Sequence, residues 1–231
     1  MSTTSGADMV QDLPTLEASL GVTFKDRNLI TQALTHRSYL NEHPDFTVGH
    51  NERLEFLGDA VIELVVTENL YEHYENPEGD LTNWRASLVN AKMLSEVCRE
   101  LNVEPHLLLS RGESKEIGKA RQYILANAFE AIVGAIYLDQ GIRTSRTFLK
   151  RVLLPKLPHI LKNQLYIDAK SRFQEIAQDR SGATPSYRVL GEEGPDHAKQ
   201  FTVGIYIGTD LIARGEGSSK QEAQMAAAEN G

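Results

Sequence analysis

The spacing of apolar residues changes character near Pro155, and that switch restricts the chain to folds with two differently built parts. From Leu13 to about Leu157 apolar positions recur at helical spacing with almost no β-branched alternation. Helices are expected over 13–20, 26–35, 51–74, 81–101, 121–138 and 143–154. Pro155 and Pro158 close this region, and 158–167 reads as a linker. Beyond Asp168 a polar helix over 169–179 is followed by alternating runs at 186–190, 201–207 and 211–214, with a turn at 191–195. An alanine-rich helix over 220–229 closes the chain. The expected architecture is multi-domain: an all-α domain over 13–157, then a small α+β domain over 168–231 in the order helix, three strands, helix.

The first chemical signal lies in His50-Asn51-Glu52-Arg53-Leu54-Glu55-Phe56-Leu57-Gly58-Asp59-Ala60-Val61-Ile62-Glu63. On a helix, Glu52, Glu55, Asp59 and Glu63 fall within an arc of roughly 80°. Leu54, Leu57, Val61, Leu64 and Val65 are expected on the opposite, core-facing side. Like charges at three- or four-residue spacing cost about 0.2–0.5 kcal/mol per pair. Two readings stand: a solvated acidic face, or a stripe that collects a hard divalent cation.

A second helix bears on the choice. In Ala126-Asn127-Ala128-Phe129-Glu130-Ala131-Ile132-Val133-Gly134-Ala135-Ile136, Glu130 is the only charged residue. Leu125, Phe129, Ile132 and Ile136 form one apolar face, with Asn127 and Glu130 on another. A carboxylate in such surroundings must be paired, protonated or bound to a metal. A hydrogen-bonded structural Glu is the plain alternative. Two acidic faces in one helical domain favour a shared metal site.

Bulk properties narrow the setting. The net charge of −8 is opposite to what a phosphate-binding surface usually carries, so any nucleic-acid role must rest on particular residues. The one cysteine, Cys98, cannot form an internal disulfide and suits a reducing, cytoplasmic setting; it is expected to be a small buried hydrophobe. The opening Met1-Ser2-Thr3-Thr4-Ser5-Gly6 lacks the marks of a signal peptide, and the apolar stretch 131–138 is too short to span a bilayer.

The segment from His50 to Val61 resembles the signature of ribonuclease III. Thr35-His36-Arg37-Ser38-Tyr39, Glu78-Gly79-Asp80-Leu81 with Arg85-Ala86-Ser87-Leu88-Val89, and 124–139 follow in that family's order. The C-terminal module resembles a double-stranded-RNA-binding domain. The resemblance implies an endonuclease that hydrolyses double-stranded RNA to 5′-phosphate products with two-nucleotide 3′ overhangs, in precursor processing. It implies Mg²⁺, with Mn²⁺ as a substitute, held by Glu55, Asp59, Asn127 and Glu130. Asp59, Glu130, Glu52 and Glu78 would carry the catalytic role, the last two by completing the acidic cluster and positioning substrate. The cation would activate water and stabilise charge on the scissile phosphate. A homodimer of catalytic domains is implied, with no membrane association. One departure stands out: the family usually has Asp where this chain has Asn127. An amide carbonyl can still ligate but brings no charge. The alternative reading is a catalytically silent duplex-RNA binder.

For the second module the resemblance assigns RNA contacts to Gln174 in the first helix, to His197 in the turn 194–197, and to Lys220 at the start of the last helix. The family commonly carries two or three lysines there, whereas this chain has Lys220 between Ser219 and Gln221, which implies weaker binding. The family also continues the last helix beyond Gly231.

Overall fold

A computed structural model describes residues 12–167, 169–195 and 199–231, which form two compact units, Met1–Asn163 and Gln164–Gly231. In the first unit α1 (Leu13–Leu20), α2 (Arg27–Leu34) and α3 (Arg37–Glu42) precede a long α4 (Glu52–His73). Then come α5 (Glu78–Leu88), α6 (Ala91–Glu100), the 35-residue α7 (Gly118–Val152) and α8 (Leu157–Lys162).

Capping explains several boundaries. The Asp26 and Asn90 side chains accept backbone N–H groups at the starts of α2 and α6. The expected single helix over 81–101 is therefore two, because Asn90 is extended and caps a new helix after Val89. The two helices expected over 121–154 form one element broken at Gly141, whose φ of 79° and ψ of 176° lie outside helical geometry. The stretch expected as a linker is helical in its first part. Leu157 and Ile160 of α8 are buried, so the chain leaves the first unit only after packing two more apolar side chains.

The core of the first unit is centred on α7. Leu125, Phe129, Ile132 and Phe148 are buried, and the Phe129 and Phe148 rings stack with centroids 6.0 Å apart. Cys98 on α6 is fully buried, and burial first of all pushes its thiol up to about 12, which makes it a packing residue. Leu64, expected in this core, is 50% exposed on the outer side of α4.

The tightest contact joins α4 to α7. A Cβ on Gly58 would lie 1.7 Å from the Glu130 carbonyl oxygen, and one on Gly134 would lie 2.2 Å from the Leu54 carbonyl oxygen. The two backbones touch, and only glycine permits it.

The second unit runs α9 (Ala169–Ser181), β1 (Ser186–Glu193), β2 (Gln200–Ile207), β3 (Asp210–Gly217) and α10 (Lys220–Glu229). The strands form an antiparallel sheet in the order β1-β2-β3. Residues 191–193, expected in a turn, extend β1, because a bulge between Val189 and Gly191 resets the register and lets Glu192 face Phe201. Phe173, Ala177, Ile205, Ala227 and Ala228 form the core between helices and sheet. Gly215 lets α10 settle on β3, since a Cβ there would meet the Ala227 nitrogen at 2.0 Å.

These contacts predict the cost of one methyl group. Gly58→Ala should destabilise the first unit by about 3 kcal/mol, the upper end of ordinary overpacking. Denaturant unfolding should show it. A loss under about 1 kcal/mol would mean that the helices separate freely, contrary to the packing described.

Candidate active site and nucleic-acid interface

The contact at Gly58 and Gly134 sets one turn of α4 against one turn of α7. Across this contact the Asn127 side chain hydrogen-bonds Glu55, and Asp59 and Glu55 lie near enough to Glu130 to act on its carboxyl, so the four side chains are neighbours. Glu130 has no salt bridge or hydrogen bond to its carboxylate among the described residues. Its carboxyl is pushed up to about 8, first by burial and then by the nearby Asp59 and Glu55 carboxylates. The Glu55 carboxyl is also raised, by burial and then by Glu52 and Asp59, while a hydrogen bond from Asn127 pulls it down.

The donor set suits a hard divalent cation: three carboxylates and an amide carbonyl, all oxygen donors, one of them held partly out of water with no protein partner. Among the described residues no three His, Cys, Asp or Glu side chains are already drawn together into a cage. The Asp59 and Glu55 carboxylates nevertheless lie near enough to Glu130 to raise its proton affinity.

The remaining acidic residues are not gathered at this point. Glu52 is exposed, with the Arg37 guanidinium Nη1 at 3.2 Å and the His50 ring Nδ1 at 3.8 Å. Glu63 faces Arg85, whose Nη1 lies 3.9 Å away and donates to the Thr67 hydroxyl at 3.0 Å. Glu78 opens α5 and lines a groove with Thr67 and Tyr71 of α4 and Arg85 of α5. Sequence reasoning missed Arg37 and Arg85 as partners of the acidic stripe. Both lie in the quoted motifs, but nothing in their spacing says which carboxylate each would meet.

In the second unit Gln174 is exposed on α9, beside Ser171, Glu175 and Gln178 in a shallow polar groove. Lys220 is exposed at the first turn of α10, where the Ser219 hydroxyl accepts the Glu222 N–H. His197 lies outside the described residues.

The arrangement is an all-helical centre of oxygen donors, in a chain whose second unit is an α-β-β-β-α module. Comparison with known proteins agrees on both parts. A Ribonuclease-III-like family model matches residues 26–157, and a Double-stranded RNA binding motif matches 169–231. The chain is similar to a Ribonuclease 3 of Pelotomaculum thermopropionicum, at 43% identity over 96% of this chain and 92% of the relative. A Ribonuclease 3 of Syntrophomonas wolfei is 46% identical over 89% and 88%. Among solved structures, the nuclease domain of ribonuclease III from Campylobacter jejuni superposes with a TM-score of 0.58 at 41% identity, covering 64% of this chain and 99% of that one. This chain belongs to the ribonuclease III family of endoribonucleases.

The raised Glu130 carboxyl has a thermodynamic consequence with a definite sign. The folded protein keeps the Glu130 proton up to about pH 8, whereas the unfolded chain releases it near its ordinary 4.5. Between these values the folded state binds more protons, so stability falls as pH rises. In metal-free buffer the melting temperature should decline over this window. Glu130→Gln should raise it at about pH 8 by roughly 3–6 °C, given about 2–4 °C per kcal/mol at this size. An unchanged or lower melting temperature for Glu130→Gln would show that Glu130 has a structural partner.

Proposed function

We propose that this chain is a metal-dependent endoribonuclease of double-stranded RNA, with Glu55, Asp59, Asn127 and Glu130 as its cation site. Supporting this is the Glu130 carboxylate, set without a protein partner beside Asp59 and Glu55, in a chain whose second unit matches a duplex-RNA-binding motif. A divalent cation bound there, Mg²⁺ or Mn²⁺, supplies Lewis-acid neutralisation of charge on the scissile phosphate. The protein's part is positional. The glycine contact holds the two pairs of donors in register, and the Asn127 amide restrains Glu55. Hydrolysis leaving 5′-phosphates and two-nucleotide 3′ overhangs, in cytoplasmic rRNA and mRNA precursor processing, completes the reading. Within the second unit, Gln174, His197 and Lys220 would contact the duplex.

The proposal includes a homodimer. Phe56, Leu64 and Tyr71, at 81%, 50% and 81% exposure, form with Ala60 and Thr67 an apolar stripe on α4 directly beside the acidic one. The Campylobacter relative's structure is described as having a region involved in dimer formation. A two-fold axis crossing this stripe at right angles to α4 would run the paired helices antiparallel. It would bring Glu78, near the Tyr71 end, towards the other copy's Glu52 and Glu55, which gives Glu78 a role that its place in one chain does not.

Cleavage of a long RNA duplex with Mg²⁺ and Mn²⁺ tested separately is the direct measurement. Cleavage should appear, and Glu130→Ala should reduce it by at least about 100-fold, the scale for losing one transition-state charge stabiliser. Asn127→Asp should tighten metal affinity, read as a lower Mg²⁺ midpoint. A duplex that is bound yet stays intact with either metal would establish a silent binder instead, and cleavage restored by Asn127→Asp would identify the cause. For the dimer, Phe56→Asp should yield monomers in sedimentation analysis; retention of a dimer would place the interface elsewhere.

A further inference from the structure

The features of the second unit best suited to an RNA phosphate are already occupied by the protein's own carboxylates. Lys220 Nζ lies 3.0 Å from Glu192 Oε1, and Lys199 Nζ lies 3.7 Å from the other oxygen, Oε2. The Lys220 ammonium also sits 5.5 Å over the Phe201 ring, and Phe201 is the cross-strand partner of Glu192. One register pair of the sheet thus provides both the aromatic seat and the counterion for Lys220. At the adjoining start of α10, Glu222 Oε2 accepts the Ser218 N–H at 3.0 Å and its hydroxyl at 2.5 Å. A carboxylate therefore takes the place at which backbone donors would meet an anion. The Lys220 hydrogen bond holds the Glu192 carboxyl below its ordinary range, so Glu192 is ionised wherever RNA is bound.

We infer that Glu192 limits the affinity of this module for duplex RNA by holding Lys220 in an internal ion pair that a backbone phosphate must displace. The inference rests on the reading that the second unit binds double-stranded RNA. Its physical content is an exchange. When Lys220 leaves Glu192 for a phosphate, the phosphate releases a counterion and the vacated carboxylate gathers one, so net ion release is small. Removing the charge at position 192 ends the exchange.

The experiment uses the full chain with a labelled RNA duplex in EDTA, read by fluorescence anisotropy across a salt series. Glu192→Gln keeps the side-chain shape, and an unchanged melting temperature confirms its fold. It should bind about two- to five-fold more tightly, the scale of one exposed ion pair. The dependence of log affinity on log salt should steepen by up to about 0.9. Lys220→Ala should bind more weakly, and the double variant should match Lys220→Ala, because the effect runs through that lysine. Equal or weaker binding by Glu192→Gln overturns the inference, as does a gain that persists without Lys220. If the unaltered chain fails to bind the duplex at all, the RNA-binding reading falls and the inference falls with it.

Discussion

Everything chemical in the first unit depends on two helices whose backbones touch. At Gly58 and Gly134 there is no room for a Cβ, so the axes of α4 and α7 approach as closely as backbone atoms allow. Close approach decides more than packing. It sets the spacing between donors on facing helices, and at wider separation Asp59 and Glu55 would no longer act on the Glu130 carboxyl as they do. The electrostatic cost of holding Asp59 and Glu55 near Glu130 is thus met by close packing at two glycines and by the large apolar core behind α7.

α4 serves three surfaces at once. Leu54, Val61, Ile62 and Val65 face the core, Glu55 and Asp59 lie towards Asn127 and Glu130, and Phe56, Leu64 and Tyr71 face solvent. A helix with so little plain polar face has no strong amphipathic signature, and its apolar residues cannot be sorted by periodicity alone. Leu64 shows the consequence: spacing puts it with the core, whereas the structure leaves it half exposed beside the acidic stripe.

The division into a helical unit and an α-β-β-β-α unit, and the oddity of Glu130, were legible in the sequence because each rests on a local pattern, whereas the set Glu55, Asp59, Asn127 and Glu130 came from the family resemblance. Helical spacing, strand alternation and one carboxylate in an apolar helix are all visible within a few turns. What sequence left open depends on distant or backbone-level contacts. The pairing of Glu52 with Arg37, and of Glu63 with Arg85, joins residues on different helices. The new start at Asn90 and the extension of β1 through Glu193 turn on a cap and a bulge, each decided by one or two residues. The role of Gly58 could not be read at all, since a glycine inside a helix pattern marks either tolerance or contact, and only the facing backbone distinguishes them.

The net charge of −8, opposite to what a phosphate-binding surface usually carries, is shared by both units. In the first unit part of the negative charge belongs to Glu55, Asp59 and Glu130, which lie near enough to act on one another. In the second unit the cations that would meet phosphate are few, and Glu192 engages Lys220 and Lys199 together. Both units therefore hold weak intrinsic attraction for a polyanion. A duplex gains only where shape brings several contacts into register at once, which is how A-form RNA is distinguished when its bases are out of reach. Within the second unit, low net attraction favours a partner that offers many contacts at once over a lone phosphate, which cannot offset the Glu192 pairs.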